Sequence, residues 1–320
     1  MSLTLLFVLK AKEVAFDTSV QFFTSDTVPA ESPHAQFPIG VNPITKTITE
    51  HALVDAFFET HIAKTPAASK RTSWFRRTLA ALTRSHLFQN LASPMSRILV
   101  IQPGERKEQI AKNFADILRW NVEERRRFTN LMHEATPHIS DGTYFPGSYT
   151  VLKDTTPEQV AHLVIDRFNT EVIARYSDEA AALVPLKDAL IIASLIEREA
   201  YDFTDMRYIA GVIWNRLFID MNLQLDASLQ YAKGSLPYGP WWPKVVPDDK
   251  YITSAFNTYE HPGLPPSPIA NPAPEAVLAA LNPRRTDCLF YFHDTKSNFY
   301  CSVTYAEHVA KLKEVYGQGR

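Results

Sequence analysis

The sequence predicts an α+β fold, with a small strand-and-helix part in front of a mainly helical part. A strand-like run at residues 97–102 is followed by helical patterns at 107–118 and 122–133. Residues 157–168 and 180–201 have the apolar spacing of helices, and residues 288–303 have a hairpin pattern. The chain has 320 residues, or two domains at ~150 residues each. An apolar fraction of 45% and a charged fraction of 21% exclude collagen, coiled coil and disorder as descriptions of the whole chain.

The front part, residues 91–140, is predicted to hold one strand and two helices. They are the strand-like residues 97–102 and the helical residues 107–118 and 122–133. Asn121 precedes the second helix, and Glu124 lies three residues after Asn121, which is the spacing of a capping box. A strand followed by two helices resembles a LysM-like module, the small fold that often holds cell-wall glycans.

Residues 141–320 are predicted to form the second domain, which begins with a turn-rich aromatic connector at residues 141–149. Its predicted helices are residues 157–168, 180–201, 274–281 and 305–316, and the strands of its C-terminal β-hairpin are residues 288–293 and 299–303. Eleven of the 22 prolines fall between residues 237 and 283. Since proline fixes φ and lacks an N–H, this segment is predicted to be stiff and irregular, a setting in which binding groups are commonly displayed.

The amino terminus leaves two interpretations open. Residues 1–12 contain an apolar run of seven residues, which is too short to cross ~30 Å of hydrocarbon because a helix needs ~20 residues for that. The run is either the surviving end of a longer membrane anchor lost through a late start codon, or the start of a buried strand or helix. Residues 13–90 are predicted to form an N-terminal α+β region, with a strand at 19–23 and a helix at 50–63.

Charge argues against a protein built to bind bare nucleic acid, since the net charge is −2. One basic segment, residues 70–84, carries Trp74 and Phe75. We interpret it as a solvated helix face above an apolar underside. The alternative is a helix that lies on an anionic membrane surface.

Two cysteines exclude both a disulfide-dense scaffold and a multi-cysteine zinc site. Cys288 and Cys301 are on opposite strands of the predicted hairpin, about three positions out of register. Two free or buried thiols are therefore predicted, with a disulfide as the less favoured alternative. The ten histidines form no HExxH motif, so the sequence shows no metal-binding motif.

One carboxylate falls on the apolar side of a helix. At about 100° per residue, residues 186–201 have a broad apolar arc, and Glu197 lies inside it. Leu186, Leu190 and Ala193 stand one to three turns before it. Burying an ionised carboxylate among apolar groups is costly, so its pKa rises. A carboxylic acid that is neutral near pH 7 can protonate a leaving oxygen.

The alternative is a structural glutamate that forms a salt bridge with Arg207 or Arg216. The neighbouring segments favour the acid, because they are polar where a core would be apolar. Their polar positions are Asn215, Gln224, Asp226, Ser228, Asn257 and Thr258. Neutral amides, hydroxyls and aromatic faces suit sugars, which present both hydroxyls and apolar ring faces. The sequence therefore predicts a glycan cleft beside a desolvated glutamate.

An ordered set of stretches identifies a family. They are DGTYFPGSY at 141–149, ASLIERE at 193–199, VIWNRL at 212–217, LQLDASLQYAKG at 223–234, SAFNTYEHPGLPPSPIANPA at 254–273, LNP at 281–283 and TYAEH at 304–308. Together they resemble the endolytic murein transglycosylases, the YceG-like family. The resemblance covers residues 97–317.

The resemblance implies an enzyme of the bacterial plasma membrane whose catalytic domain faces the cell wall. Such an enzyme cleaves the β-1,4 bond between N-acetylmuramic acid and N-acetylglucosamine within a peptidoglycan strand. Glu197 matches the family's catalytic glutamate, which protonates the glycosidic oxygen and then deprotonates the muramoyl C6 hydroxyl as a 1,6-anhydro ring closes. The resemblance further implies a limit on strand length, no cofactor, and peptidoglycan synthases (penicillin-binding proteins) as partners.

The family's substrate-binding positions correspond to Gln224, Asp226, Ser228, Asn257, Thr258, Tyr259 and Asn271. The chain departs from the family pattern at some of its sites, since Ala227-Ser228 replaces Pro-Thr and Ser267 and Ala273 replace glycines. These departures motivate an alternative function, a non-catalytic peptidoglycan-binding scaffold of the cell-wall synthesis machinery.

Overall fold

The computed structural model describes residues 36–64, 95–137, 139, 141–236 and 239–317. Three expectations lie outside these residues: the anchor at residues 1–12, the strand at 19–23 and the basic helix at 70–84. The α+β class is confirmed, with helices predominating over small antiparallel sheets.

The helices and strands are numbered in chain order. The strands are β1 (Val41–Asn42), β2 (Thr47–Ile48), β3 (Ser96–Ile101), β4 (Gly147–Leu152), β5 (Phe290–His293) and β6 (Phe299–Ser302). The helices are α1 (Ala52–Lys64), α2 (Lys107–Leu118), α3 (Val122–Ala135), α4 (Pro157–Glu171), α5 (Asp178–Leu183), α6 (Leu186–Glu199), α7 (Phe203–Phe218), α8 (Asp226–Gly234), α9 (Pro274–Leu281) and α10 (Tyr305–Tyr316). Two 3-10 turns, Ile173–Arg175 and Pro247–Tyr251, complete them.

The front unit is a β-α-α-β arrangement with its own core. Strand β3 pairs antiparallel with β4, from Ser96 opposite Leu152 to Ile101 opposite Gly147. The front module is predicted from the sequence to end at residue 140. The front sheet extends further along the chain, because its second strand is Gly147–Leu152. The connector predicted at residues 141–149 contains the first residues of β4. The sequence does not predict this strand, because its partner β3 lies at least 46 residues earlier and such a pairing leaves no local signal.

Local signals set the ends of the front helices. The Asn121 side chain accepts the Glu124 N–H at 3.0 Å, and the Glu124 carboxylate accepts the Asn121 N–H at 2.8 Å, so the predicted capping box is present. The buried residues that join the helices to the sheet include Leu99, Phe114 and Phe128.

The second core surrounds α6. Residues 189–196 of this helix are all buried, and α7 and α9 pack against it. The helix predicted over residues 180–201 is in fact two helices, α5 and α6, because Pro185 has no N–H to donate. Val184, the residue before the proline, has φ −129° and ψ 106° and so lies outside the helical region.

Cys288 and Cys301 form a disulfide, so the prediction of two free thiols is wrong. In the hairpin Tyr291 is opposite Cys301, which confirms the three-position offset. Cys288, however, lies two residues before β5, so the register of the strands does not determine the position of its side chain. The Asn215 side chain of α7 donates to the Cys288 carbonyl at 3.1 Å, and the Cys288 and Cys301 Cα atoms lie 5.8 Å apart.

No helix among the described residues is long and apolar enough to span a bilayer.

Candidate active site

Glu197 lies in the last turn of α6 and is half-buried. Its Oε2 accepts the Ala273 N–H at 3.0 Å. Burial raises the pKa of the Glu197 carboxyl to about 8, against the lowering effect of the Ala273 N–H. The charge of Glu275 raises this pKa further, and the charge of Arg198 lowers it. Near pH 7 the group is mostly protonated and can donate a proton.

The alternative salt bridge with Arg207 or Arg216 is not formed. Arg207 pairs with Asp55 and donates to the Asn282 carbonyl at 2.8 Å. Arg216 donates to the Leu289 carbonyl at 2.7 Å. Both guanidinium groups therefore bind other parts of the second core. Neither of them lowers the pKa of Glu197.

A buried side chain, Asn271, joins the front unit to the second core beside Glu197. Its Oδ1 accepts the N–H groups of Gly142 and Tyr144 at 2.7 and 2.9 Å, and its Nδ2 donates to the Glu105 carbonyl at 2.9 Å and to Asp141 Oδ1 at 3.3 Å. We call this group of contacts the Asn271 junction.

Two backbone hydrogen bonds continue the Asn271 junction. The Gly104 N–H donates to the Asn271 carbonyl at 2.8 Å, and the Asn271 N–H donates to the Glu105 carbonyl at 2.9 Å. Ala273, whose N–H reaches Glu197, follows two residues later. The front unit therefore helps to position the donor that holds the carboxyl of Glu197.

Asp141 is the buried acid of the junction. It accepts the Lys107 N–H at 2.6 Å, at the start of α2, and the Tyr231 hydroxyl at 3.2 Å, on α8. Burial, followed by the nearby charge of Glu108, raises the pKa of the Asp141 carboxyl to about 7. One carboxyl group thus connects helices from both cores.

Glu199 has a different role from Glu197, although both belong to ASLIERE. Two residues along a helix turn the side chain by about 200°, so the two carboxyls face different neighbours. Glu199 accepts the Ala227 N–H at 3.0 Å and the Tyr291 hydroxyl at 2.9 Å. Burial raises the pKa of Glu199 as well. Glu199 therefore caps the first turn of α8 and ties it to the hairpin.

Some predicted substrate-binding residues are open to a ligand. Gln224 and Asp226 are exposed, and Tyr259 is half-buried. The Tyr259 hydroxyl donates to Asp226 Oδ1 at 2.7 Å. Gln224 has φ 49°, and its N–H donates to the Thr258 carbonyl at 3.0 Å, which holds this segment beside the loop that contains Tyr259.

Other predicted residues are buried and bonded within the protein. The Ser228 and Thr258 hydroxyls lie 2.8 Å apart, and Thr258 also accepts the Leu225 N–H at 3.0 Å. The Asn257 amide donates at 2.9 Å to the carbonyls of both Lys250 and Ile252. Asn271 forms the junction described above. In this arrangement these side chains shape the loops, and their contact with substrate stays a prediction.

Sequence reasoning missed two features next to Glu197. The Arg198 guanidinium stacks 3.8 Å from the centre of the Trp242 ring. Gly104 has φ 79°, and a Cβ at that position would lie 3.2 Å from Arg198 Nη1 and 3.7 Å from Glu197 Cγ. The pair of tryptophans in the proline-rich segment was the available signal, but nothing in the sequence places Trp242 beside α6.

The described residues contain no group of three or more His, Cys, Asp or Glu side chains placed to hold a metal ion. The groups that the described residues bring together here are the Glu197 carboxyl, the Ala273 N–H and the Arg198 guanidinium.

The sequence profile of the YceG-like family matches residues 41–314, most of the chain. The chain belongs to the YceG-like family. A crystal structure of a YceG-like protein from Listeria monocytogenes has a TM-score of 0.59 to this chain at 23% identity, covering 86% of this chain and 97% of that one. That likeness shows a shared fold.

Two curated relatives are named endolytic murein transglycosylase. The one from Bacillus subtilis (strain 168) is 34% identical over 188 residues, which are 58% of this chain and 51% of the relative. The one from Streptococcus pneumoniae serotype 2 (strain D39 / NCTC 7466) is 30% identical over 175 residues, which are 54% of this chain and 32% of the relative. This YceG-like chain thus spans about half of one relative and a third of the other.

Replacing Ala273 by proline tests the hydrogen bond to Glu197. Ala273 has φ −71° and ψ 158°, a conformation that proline adopts, so Ala273→Pro removes the N–H while keeping φ. We expect the pKa of Glu197 to rise above about 8, because this N–H stabilises the ionised carboxylate. An NMR titration of the Glu197 carboxyl carbon measures it. Ala273→Gly keeps the donor and should leave the pKa unchanged; equal pKa values in both variants would contradict the assignment.

Replacing Asn271 tests the junction. Asn271→Ala leaves the Gly142 and Tyr144 N–H groups without their acceptor inside the protein, and each such loss costs about 1–3 kcal/mol. We expect the free energy of unfolding to fall by at least about 2 kcal/mol in urea denaturation. Gln224→Ala, at an exposed side chain, should change it by less than about 0.5 kcal/mol. Similar values for the two variants would show that the junction does not stabilise the fold.

Proposed function

We propose that the protein is an endolytic peptidoglycan lytic transglycosylase with Glu197 as its catalytic residue. The observation that carries this proposal is the position of the Glu197 carboxyl, which is half-buried in the last turn of α6 and accepts the Ala273 N–H at 3.0 Å. Burial in this position raises the pKa of Glu197 to about 8. A carboxyl protonated at neutral pH is what protonation of a glycosidic oxygen requires. The names of the curated relatives support the same activity.

The reaction cleaves the β-1,4 bond between N-acetylmuramic acid and N-acetylglucosamine, and the same carboxyl acts first as an acid and then as a base. Glu197 first donates its proton to the oxygen that leaves. The resulting carboxylate, stabilised by the Ala273 N–H, then removes the proton of the muramoyl C6 hydroxyl, whose oxygen closes onto C1. Because the nucleophile belongs to the substrate, the second carboxylate of ordinary glycosidase chemistry is unnecessary. The contacts of Glu199 with Ala227 and Tyr291 agree with a structural role for that residue.

The substrate strand is proposed to lie over the exposed polar residues of the cleft. Gln224, Asp226 and Tyr259 would contact sugar hydroxyls and amides directly, while Ser228 and Thr258 hold the loops that present them. Asn257 is proposed to support the loop that contains Tyr259, and Asn271 to act through the Asn271 junction.

A location outside the cytoplasm, at the bacterial plasma membrane facing the cell wall, is also part of the proposal. The Cys288–Cys301 disulfide supports it, because such bonds persist mainly in oxidising compartments. The proposal has three further parts. The amino terminus belongs to a membrane anchor, the protein contacts peptidoglycan synthases, and its activity limits the length of glycan strands.

Incubation with purified peptidoglycan tests the activity. The wild-type protein should release products with 1,6-anhydro-N-acetylmuramic acid ends, identified by mass spectrometry, and Glu197→Gln should lower the rate by at least ~10³-fold. Glu179→Gln, at an exposed glutamate of α5, is the matched control and should keep the wild-type rate. Reducing ends in place of anhydro ends would make the protein a hydrolase. Wall binding without any product would favour the scaffold function.

The raised pKa of Glu197 also predicts how stability depends on pH. The ordinary pKa of 4.5 becomes about 8 on folding, so the folded state binds this proton more tightly than the unfolded chain. Relative to Glu197→Gln, the wild type should lose stability as pH rises from 4.5 to 8, by up to about 1.4 kcal/mol for each unit of pKa shift. Urea denaturation should show a stability difference that shifts in favour of Glu197→Gln between pH 4 and pH 9. A constant difference would contradict the raised pKa.

A further inference from the structure

We propose that the guanidinium of Arg198, stacked on Trp242 beside Glu197, forms a subsite for a carboxylate of the substrate. The carboxylate belongs either to the lactyl group of the muramoyl residue or to its peptide. This inference rests on the proposed function, since it names the part of the glycan strand that the same cleft selects.

The first observation is that Arg198 and Glu197 approach the same glycine. A Cβ built on Gly104 would lie 3.2 Å from Arg198 Nη1 and 3.7 Å from Glu197 Cγ. The Arg198 guanidinium and the aliphatic part of the Glu197 side chain therefore both lie next to Gly104, which has no side chain. A sugar whose glycosidic oxygen reaches Glu197 would place its ring substituents within reach of Arg198.

The second observation is that Trp242 holds the guanidinium in one orientation. The Arg198 guanidinium carbon lies 3.8 Å from the ring centre, and the indole N–H donates to Gln109 Oε1 at 3.1 Å. The same oxygen accepts the Arg106 N–H at 3.0 Å, at the start of α2. Stacking uses the face of a guanidinium and leaves its edge N–H groups in the plane, the geometry that binds carboxylates bidentately.

The third observation is electrostatic. A cation beside a general acid lowers the acid's pKa, which opposes protonation at neutral pH. A substrate anion bound at the Arg198 guanidinium would offset this charge and so favour the protonated form of Glu197. Arg106 does not fit this role, because it is buried, stacks on Tyr231 at 4.1 Å, and donates to Ser235 Oγ at 2.9 Å. Arg198 is half-exposed.

N-acetylmuramic acid differs from N-acetylglucosamine by a lactyl group, whose carboxyl is either a free carboxylate or amide-linked to a peptide that carries carboxylates. A guanidinium subsite next to the acid would distinguish the muramoyl side of the bond from the neutral sugar. Arg198 would then help to set which of the two alternating linkages is cleaved.

The experiment measures strand affinity by fluorescence anisotropy in the full chain with Glu197→Gln, which prevents turnover. Four probes are compared: labelled glycan strands with their peptides, strands stripped of peptides by an amidase, and both after conversion of their carboxylates to methylamides. Adding Arg198→Gln should raise Kd about 10- to 100-fold on a carboxylate-bearing probe and leave both methylamide probes unchanged. Arg198→Lys should keep part of the difference. Arg127→Gln, which removes an exposed guanidinium of α3, should change no Kd.

The two unblocked probes identify the source of the carboxylate. An effect on the stripped strands assigns the lactyl carboxylate, and an effect confined to the peptide-bearing strands assigns the peptide. If Arg198→Gln changes Kd equally on blocked and unblocked strands, or on none, the subsite does not exist. Failure of the proposed function is seen separately, as the absence of anhydro products from the wild type in the peptidoglycan assay.

Discussion

The structure around Glu197 depends on one buried amide. Asn271 uses both of its side-chain polar atoms, and its backbone pairs with Gly104 and Glu105, so the proline-rich loop and the front unit share one set of hydrogen bonds. A buried amide that is fully paired specifies a single arrangement, because leaving any partner unpaired is costly. The Ala273 N–H that reaches Glu197 comes two residues after Asn271. The environment of the acid is therefore fixed by contacts between parts of the chain that are far apart in sequence.

Two acids of the same helical turn, Glu197 and Glu199, have different hydrogen-bond partners. Burial raises the pKa of both Glu197 and Glu199, but their hydrogen bonds differ. Glu199 has two donors, from Ala227 and Tyr291, and it satisfies the start of α8, where Leu225 offers no side-chain cap. Glu197 has one donor and lies beside a glycine that leaves space. Because the two carboxyls are two residues apart on the helix, each has its own set of neighbours, and Glu199 caps α8 without contacting the Ala273 N–H that Glu197 uses.

The sequence predicts the helices and the acid better than the contacts that connect them. Helical periodicity and a capping box place α2, α3 and α10 within two residues, and the position of Glu197 in the apolar arc of α6 predicts its raised pKa. These are local properties. The pairing of β4 with β3, the Asn271 junction, the stacking of Trp242 on Arg198 and the disulfide join segments that only the folded chain brings together. The same limit applies to the hydrogen bonds that Ser228, Thr258, Asn257 and Asn271 form within the protein, because a sequence pattern does not give the partner of a polar side chain.

The pKa of Glu197 results from opposing effects that suit a group used first as an acid and then as a base. Burial and Glu275 raise it, whereas the Ala273 N–H and Arg198 lower it. Burial alone would favour a neutral acid whose ionised form is poorly stabilised after proton transfer. A donor at 3.0 Å gives that ionised form a partner at the moment it is created. With a pKa of about 8 the group is mostly protonated at neutral pH and, once ionised, is a stronger base than an ordinary carboxylate. The junction that places Ala273 therefore acts on both halves of the proposed reaction.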